Sequence, residues 1–388
     1  MASYHRPLSQ RLITVPFGIL VVVTLVGFYF IAERFIFGLG AVTNINPGYP
    51  WGIWVVVDIV VGTAFGCGGF AMALLVYIFN RGDYHPLVRP ALLGGLFGYT
   101  LAGMAVMIDL GRYWHFYTLM LPWYAQPNSV MFEVALCVMA YVLVLWIEFS
   151  PAVFERLGLT RLRELVQRYM FLVIALGVLL PAMHQSSLGS VLLVLGSQLS
   201  PLWYTVWLPL LFVSSALAMG YAVVLFEATV VSEGFDLPSE HALISKLSIV
   251  VGGVVVFFLG VRWADLAYQG VIGLAFEPGL DALVFWLENL FFAFAVVAFW
   301  TPFGRNSKRF TFLGAVALLL GGSLYRLNAY LIAYDPPGNW TYFPSVPELM
   351  VTIGVISLEI LLYLVFITLF PVLAAHASAP ARRAEVTP

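Results

Sequence analysis

Charge is scarce in this sequence: Asp, Glu, Lys and Arg together make up only 10% of its 388 residues. A soluble domain carries roughly a quarter. Hydrophobic residues reach 62%, with 31 Phe, 19 Tyr and 11 Trp, more apolar surface than a water-facing fold can bury. The apolar runs reach the roughly 20 residues a helix needs to cross a bilayer, about twice what a barrel strand uses. The fold class is therefore all-α, a polytopic integral membrane protein. The net charge of −2 points to no partner, and no nucleic acid is expected among them.

Cysteine is nearly absent. Cys67 and Cys137 lie inside apolar runs and belong to no CxxC or CxxCH pattern, so both read as small buried hydrophobes and an iron–sulfur cluster in this chain is excluded. Histidine is sparse too. His5, His85, His115, His184, His241 and His376 all fall outside the expected mid-membrane zone, and no pair shares a helix at ligand spacing, so haem b is not expected. No GxGxxG follows a strand, no phosphate loop occurs, and the run after Arg6 and Arg11 is long and lacks a cleavage site, so it reads as a first transmembrane helix. Electrons, if the chain handles them, must travel on a bound organic carrier, which in a membrane means a quinone. On these residues alone a transporter stays open.

What is present is a pattern of about ten spans, near 14–37, 51–79, 90–110, 129–150, 166–183, 203–230, 244–263, 281–303, 310–331 and 347–374. They are expected to form two helix-bundle halves within one integral domain over 1–388, with a polar, disordered tail at 376–388. With the N-terminus cytoplasmic, all of the 18 basic residues except Arg34, Arg112, Arg262 and Arg326 fall on the inner side. The positive-inside rule then puts both termini in the cytoplasm. The stretch FSPAVFERLGLTRLRELVQRYM, between the fourth and fifth spans, is amphipathic and basic and reads as a surface helix on the inner leaflet.

Ionisable groups inside a membrane are costly and need a partner or a purpose. They gather in DLGRYWHFYTLMLPWYAQPNSVMFE (109–133) and PAMHQSSLGS (181–190). Asp109 and Arg112, three apart at a helix end, can pair locally. Pro127, Asn128 and Ser129 form a turn and N-cap that place Glu133 about one turn inside the fourth span, either as a group that exchanges protons or as a simple partner of Arg112. His184 ends the fifth span and is followed by Gln185, Ser186 and Ser187, groups able to hydrogen-bond a carbonyl and supply a proton; a lone histidine is otherwise structural. Asp58 lies eight residues into an apolar run, one turn before Gly62 and two before Gly66. Tyr99, beside Gly94, Gly95, Gly98 and Gly103, either projects its phenol into a ligand cavity or packs with one hydrogen bond. Glu227 is a proton entry point at the inner end of the sixth span or a solvated interfacial group, and Glu359 is mid-span in the last helix. Arg262 with Asp265, and Glu288 with Arg326, are candidate pairs.

The sequence resembles the NrfD-like family of polysulfide-reductase membrane subunits, and within it the hydrogenase-2-type branch (HybB-type, often called Ni/Fe-hydrogenase cytochrome b subunits). The resemblance rests on FGLG (37–40), YPWGIW (49–54), FNRGDYHPLVRPALL (79–93), LFGY (96–99), DLGRYW (109–114), NSVMFE (128–133), FERLG (154–158) and LLPAMHQSS (179–187), and more loosely on PLWY (201–204) and YFP (342–344). It implies a haem-free subunit in a bacterial inner membrane that takes electrons from a periplasmic ferredoxin-like iron–sulfur subunit and delivers them to menaquinone or ubiquinone. Hydrogenase small and large subunits would dock through that subunit; a molybdopterin or multihaem module is the alternative. It also implies that Tyr99, Glu133, His184 and Glu227 handle quinone and protons.

The expected site has the quinone head group between spans two to five on the outer side. Glu133 (with Asp58 behind it) and His184 would deliver protons, Tyr99 and Ser187 would help hold the ring, and Arg112 would stabilise negative charge or tune Glu133. Proton translocation through Glu227, Tyr99 and Asp58, with Asp109 and Glu359 on the path, is a second expectation. A redox-free transporter and a passive membrane anchor are the rivals.

Overall fold

The computed structural model describes residues 5–8 and 12–374, so the expected disordered tail at 376–388 lies outside the described residues. Ten helices are long and apolar enough to cross a membrane: α1 Val15–Phe37, α2 Val55–Ile78, α3 Gly82–Asp109, α4 Val130–Leu157, α5 Thr160–Gln198, α6 Leu208–Gly234, α7 His241–Gln269, α8 Leu280–Trp300, α9 Lys308–Ile332 and α10 Val346–Leu369. Successive spans run in opposite directions. The two ends of the described residues meet where β1 (His5–Arg6) pairs antiparallel with β2 (Leu373–Ala374), which defines a terminal face and an opposite face.

Two departures from the sequence reading matter for the site. The basic stretch between the fourth and fifth spans is not a separate surface helix. α4 runs to Leu157, Gly158 turns the chain in the left-handed region (φ 70), and α5 restarts at Thr160, so the stretch forms the abutting ends of two long helices. The fifth span does not stop near 183 either. Gln185, Ser187 and their neighbours stay helical because serine hydroxyls can bond back to the preceding turn, as Ser187 does to the Met183 carbonyl at 2.9 Å and Ser190 to Ser186 at 3.1 Å. His184 is thus well inside a helix.

Packing divides the spans into groups. α2, α3, α4 and α5 contact one another in turn; α6, α7, α8 and α9 form a ring; α1 lies against α10, which leans on α3. α2 is the hinge piece between the groups, touching both α6 and α9. It is irregular along its length, with π-helical turns at Val55–Val61 and Leu74–Ile78 and a break at Cys67. Glycines at 62, 66, 68 and 69 supply little to hold it straight. π-turns free backbone carbonyls and recur at functional sites. Here Val60 O accepts from Arg326 Nη1 of α9 at 2.7 Å.

At the opposite face the chain is clasped by Glu348. Its carboxylate accepts from Asn44 N (3.0 Å), Ser345 N (2.7 Å) and the Tyr342 hydroxyl (2.7 Å), and that hydroxyl in turn accepts from Ile53 N at 2.8 Å. Burial, then the bond to Glu348, raises the Tyr342 phenol above its usual range. Tyr342 and Ile53 both lie in stretches that carried the family resemblance, YFP and YPWGIW.

In the second group the expected ion pairs are re-sorted. Arg262 pairs with Glu288 at 2.5 Å, both side chains buried, and Glu288 also accepts from Asn328 Nδ2 at 2.7 Å. Asp265 instead accepts from Gln269 one turn on, and Arg326 reaches no carboxylate. A spacing of three along one helix would allow Arg262 to meet Asp265, but the guanidinium extends across to Glu288 of α8 among the Trp203, Phe285 and Tyr325 rings, and Asp265 is taken by Gln269.

Candidate functional site

α2, α3 and α5 bring a polar group together inside the membrane. Thr63, on α2 just after the π-turn, is fully buried, and its hydroxyl donates to the Ile59 carbonyl one turn back. Its single hydrogen is thereby used, so its lone pairs receive the two side chains arriving from α5: Gln185 Nε2 at 2.9 Å and His184 Nε2 at 3.1 Å. His184 and Gln185 have no exposed surface. This network assigns the imidazole proton to Nε2 and leaves Nδ1 as an acceptor. His184 Nδ1 and Gln185 Oε1 are both enclosed with no hydrogen-bond partner.

Tyr99 of α3 completes the group. Its ring lies 5.8 Å from His184 and edge-on to Tyr141 of α4 at 4.5 Å, and its hydroxyl is 3.5 Å from Cys67 Sγ. Gly66 permits this: a Cβ there would stand 2.8 Å from Tyr99 Cδ2, so any other residue would push the phenol away. Cys67 is therefore more than a small hydrophobe, since it is a polar neighbour of the phenol. Arg326, fully buried, approaches from α9 and its charge is felt at His184, Tyr99 and Cys67.

A second set of acids runs beside this group. Asp58, 6% exposed and with Oδ2 unpartnered, lies within electrostatic reach of both Asp109 and Glu359. Glu359 is in turn a neighbour of Glu227, whose Oε2 is enclosed and unpartnered. Their place along the helices orders them from the opposite face inward as Asp109 (end of α3), Asp58 (α2), Glu359 (middle of α10) and Glu227 (towards the terminal-face end of α6). Glycines of α3 make the room. A Cβ at Gly94 would meet Glu227 Oε1 at 2.7 Å, and one at Gly98 would meet Glu359 Oε1 at 3.1 Å.

The remaining sequence candidates stand apart. Glu133, half-buried in the first turn of α4, makes no side-chain hydrogen bond or ion pair among the described residues; its charge reaches Cys137. Arg112 is exposed and pairs with neither Glu133 nor Asp109. Asp109 instead faces the charge of buried Arg34, whose guanidinium is held by the Ile108 and Leu110 carbonyls. The Ser187 hydroxyl is spent on its own helix.

Sequence reasoning missed Thr63, hidden as one hydroxyl in an apolar run, and Glu148, whose Oε2 would lie 3.3 Å from a Cβ on Gly177. It noticed Arg326 but gave it the wrong partner. The signal for Thr63 was a lone hydroxyl next to Gly62 and three residues before Gly66, in a stretch already marked for close approach by those glycines.

Comparison with known proteins agrees with this architecture. Residues 41–333 match the family model described as polysulphide reductase, NrfD. The chain is 42% identical over 379 residues to the probable Ni/Fe-hydrogenase 2 b-type cytochrome subunit of Escherichia coli, covering 96% of each. It is 31% identical to a protein of Nitratidesulfovibrio vulgaris over 96% of this chain and 98% of that one. It is 28% identical to the menaquinone reductase integral membrane subunit of the same organism, over 80% of each. A ten-span helical architecture and a family match across well over half of the sequence place this chain in the NrfD family.

Proposed function

We propose that this chain is the quinone-reactive membrane subunit of a respiratory oxidoreductase complex. In this reading it passes electrons between an iron–sulfur subunit on the opposite face, most consistently that of a [NiFe] uptake hydrogenase, and the quinone pool. The observation that carries it is the buried group of Thr63, Tyr99, His184 and Gln185, in which two acceptor atoms, His184 Nδ1 and Gln185 Oε1, are enclosed without a hydrogen-bond partner beside a phenol whose hydroxyl touches only the weak partner Cys67 Sγ at 3.5 Å. Orphaned buried polar atoms are rare in folded proteins and call for an explanation. His184 Nδ1 and Gln185 Oε1 fit the hydroxyls of a reduced quinone ring, and the phenol of Tyr99 fits its oxygen. The names of two relatives, a hydrogenase subunit and a menaquinone reductase subunit, support the same class.

A bound quinone supplies the two-electron redox chemistry; the protein's residues bind the ring and move protons. Thr63 fixes the tautomer of His184, and Nδ1 is the atom that holds a proton in transit. Glu133, at the start of α4, is assigned proton exchange at the rim. A haem is not part of this reading, because among the described residues His184 is the one histidine deep in a span and a bis-histidine site needs two. Basic residues gather at the span ends on the terminal face, including Arg81, Arg89, Arg156, Arg161 and Lys308, which supports a cytoplasmic terminal face of a bacterial inner membrane.

A second element of the reading is proton translocation. The acids Asp109, Asp58, Glu359 and Glu227 are linked pairwise from one face towards the other, and like-charged neighbours in a low-dielectric setting are stabilised by sharing protons. The test of the main reading is quinone reduction by the assembled complex. His184→Ala or Glu133→Gln should abolish it while activity with an artificial acceptor persists. Native quinone rates in both variants would refute the assignment.

A further inference from the structure

Three arginines are buried among the described residues: Arg34, Arg262 and Arg326. Arg34 lies beside Asp109, and Arg262 is paired with Glu288. Neither Arg34 nor Arg326 has a carboxylate within ion-pair distance, but Arg34 faces the charge of Asp109, whereas the charge neighbours of Arg326 are Cys67, Tyr325, Tyr330 and Tyr99, none of them a carboxylate. Arg326 is fully buried, and its contacts are neutral: the Val60 carbonyl at 2.7 Å, the Phe212 carbonyl at 2.7 Å, the Ser215 hydroxyl at 3.1 Å, and the Phe212 ring 4.7 Å from the guanidinium carbon. Its Nε–H is enclosed and unused. A guanidinium cannot shed its charge as a lysine can, so burial without an anion leaves the charge itself uncompensated.

The surroundings say what the charge faces. Val60, which holds Nη1, is the residue before the last of the π-turn and three before Thr63, so the guanidinium is tied to the same stretch of α2 that holds His184 and Gln185. Around the charge stand Tyr99, Cys67, Tyr325 and Tyr330. These groups carry protons in their ordinary states, and none offers a standing negative charge. Three contacts from α2 and α6 hold the guanidinium in place, so it is a rigid, preorganised cation beside the proposed ring site.

We infer that Arg326 is the counter-charge for negative charge on a ring bound against Tyr99 and His184, the role that sequence reading had given to Arg112. The inference rests on the quinone reading above and adds a charge selectivity to the site: a ring bearing negative charge is held more tightly than its neutral counterpart. Arg112, exposed in the loop after α3, has no such position.

Equilibrium binding to the purified complex in detergent tests this with two probes that share one ring, a hydroxynaphthoquinone ionised at neutral pH and its uncharged methyl ether. The wild-type protein is expected to bind the anion about tenfold to a hundredfold more tightly, the range of one hydrogen bond to a charged group. Arg326→Gln should erase that preference and leave the affinity for the ether in place, whereas Arg326→Lys should retain part of it. Equal affinities for the two probes in the wild type would overturn the inference without any variant, so poor assembly of Arg326→Gln does not shelter it. An unchanged preference in Arg326→Gln, with both probes weakened by His184→Ala, would also overturn it while leaving the quinone site standing. If neither Arg326→Gln nor His184→Ala changes either affinity, the quinone reading itself fails.

Discussion

Thr63→Val is the sharpest perturbation of the proposed site because it keeps shape and removes one oxygen. The hydroxyl receives Gln185 Nε2 at 2.9 Å and His184 Nε2 at 3.1 Å while donating to Ile59 O within its own helix. Removing it orphans two buried donors on α5, and each such group costs about 1–3 kcal/mol, so the folded state should lose roughly 2–6 kcal/mol. Ile59 O retains its backbone role and adds little. The imidazole also loses the partner that fixes its tautomer and aim. A misdirected His184 should slow quinone reduction at least about tenfold, equivalent to about 1.4 kcal/mol of barrier. The assay pairs a thermal melt in detergent with quinone and artificial-acceptor rates of the same preparation. Thr63→Ser should restore both readouts. A Thr63→Val protein with native melting and native quinone rate would refute the network.

Other outcomes follow from the same geometry. Arg262→Met alone should cost about 3–5 kcal/mol by stranding Glu288 in an apolar interior, and Arg262→Met with Glu288→Leu should recover most of it, as melting of the double variant will check. Gly94→Ala drives a methyl group to 2.7 Å from Glu227 Oε1, so proton release from vesicles per quinone turned over should fall while the turnover itself continues. Arg112→Ala should leave quinone reduction within about twofold of wild type, because an exposed, unpaired arginine holds little energy. A reduced-minus-oxidised spectrum of the purified chain should lack a b-type haem band; a stoichiometric band would overturn the single-histidine argument.

Much of the architecture was legible in the sequence because bilayer thickness constrains it so tightly. All ten spans were placed from hydropathy, with ends displaced mainly where α5 continues past its polar stretch. That error has a clear cause: four consecutive polar residues look like a helix end when the serines that bond back to their own turn are not visible. It also moved His184 from a helix terminus to a buried interior position. Tyr99 and His184 could be picked out singly, and so could the acids Asp58, Asp109, Glu227 and Glu359, since each is an ionisable or hydrogen-bonding group in apolar surroundings. Which of them meet could not be read, because contacts between helices far apart in sequence depend on rotation about each axis. Thr63 meets Gln185 across 122 positions, and Arg326 meets Val60 across 266. The arginine pairings failed for the same reason: sequence proximity proposed Asp265 for Arg262, while packing chose Glu288.

The central claim is that a quinone ring binds against the buried faces of α2, α3 and α5. Labelling the assembled complex with a photoreactive naphthoquinone and mapping the modified peptides tests it most directly. The account predicts label within the peptides carrying Thr63, Tyr99 and His184, reduced by competing quinone and by His184→Ala. Competable label confined to the α6–α9 ring, with these three peptides unmodified, would contradict it.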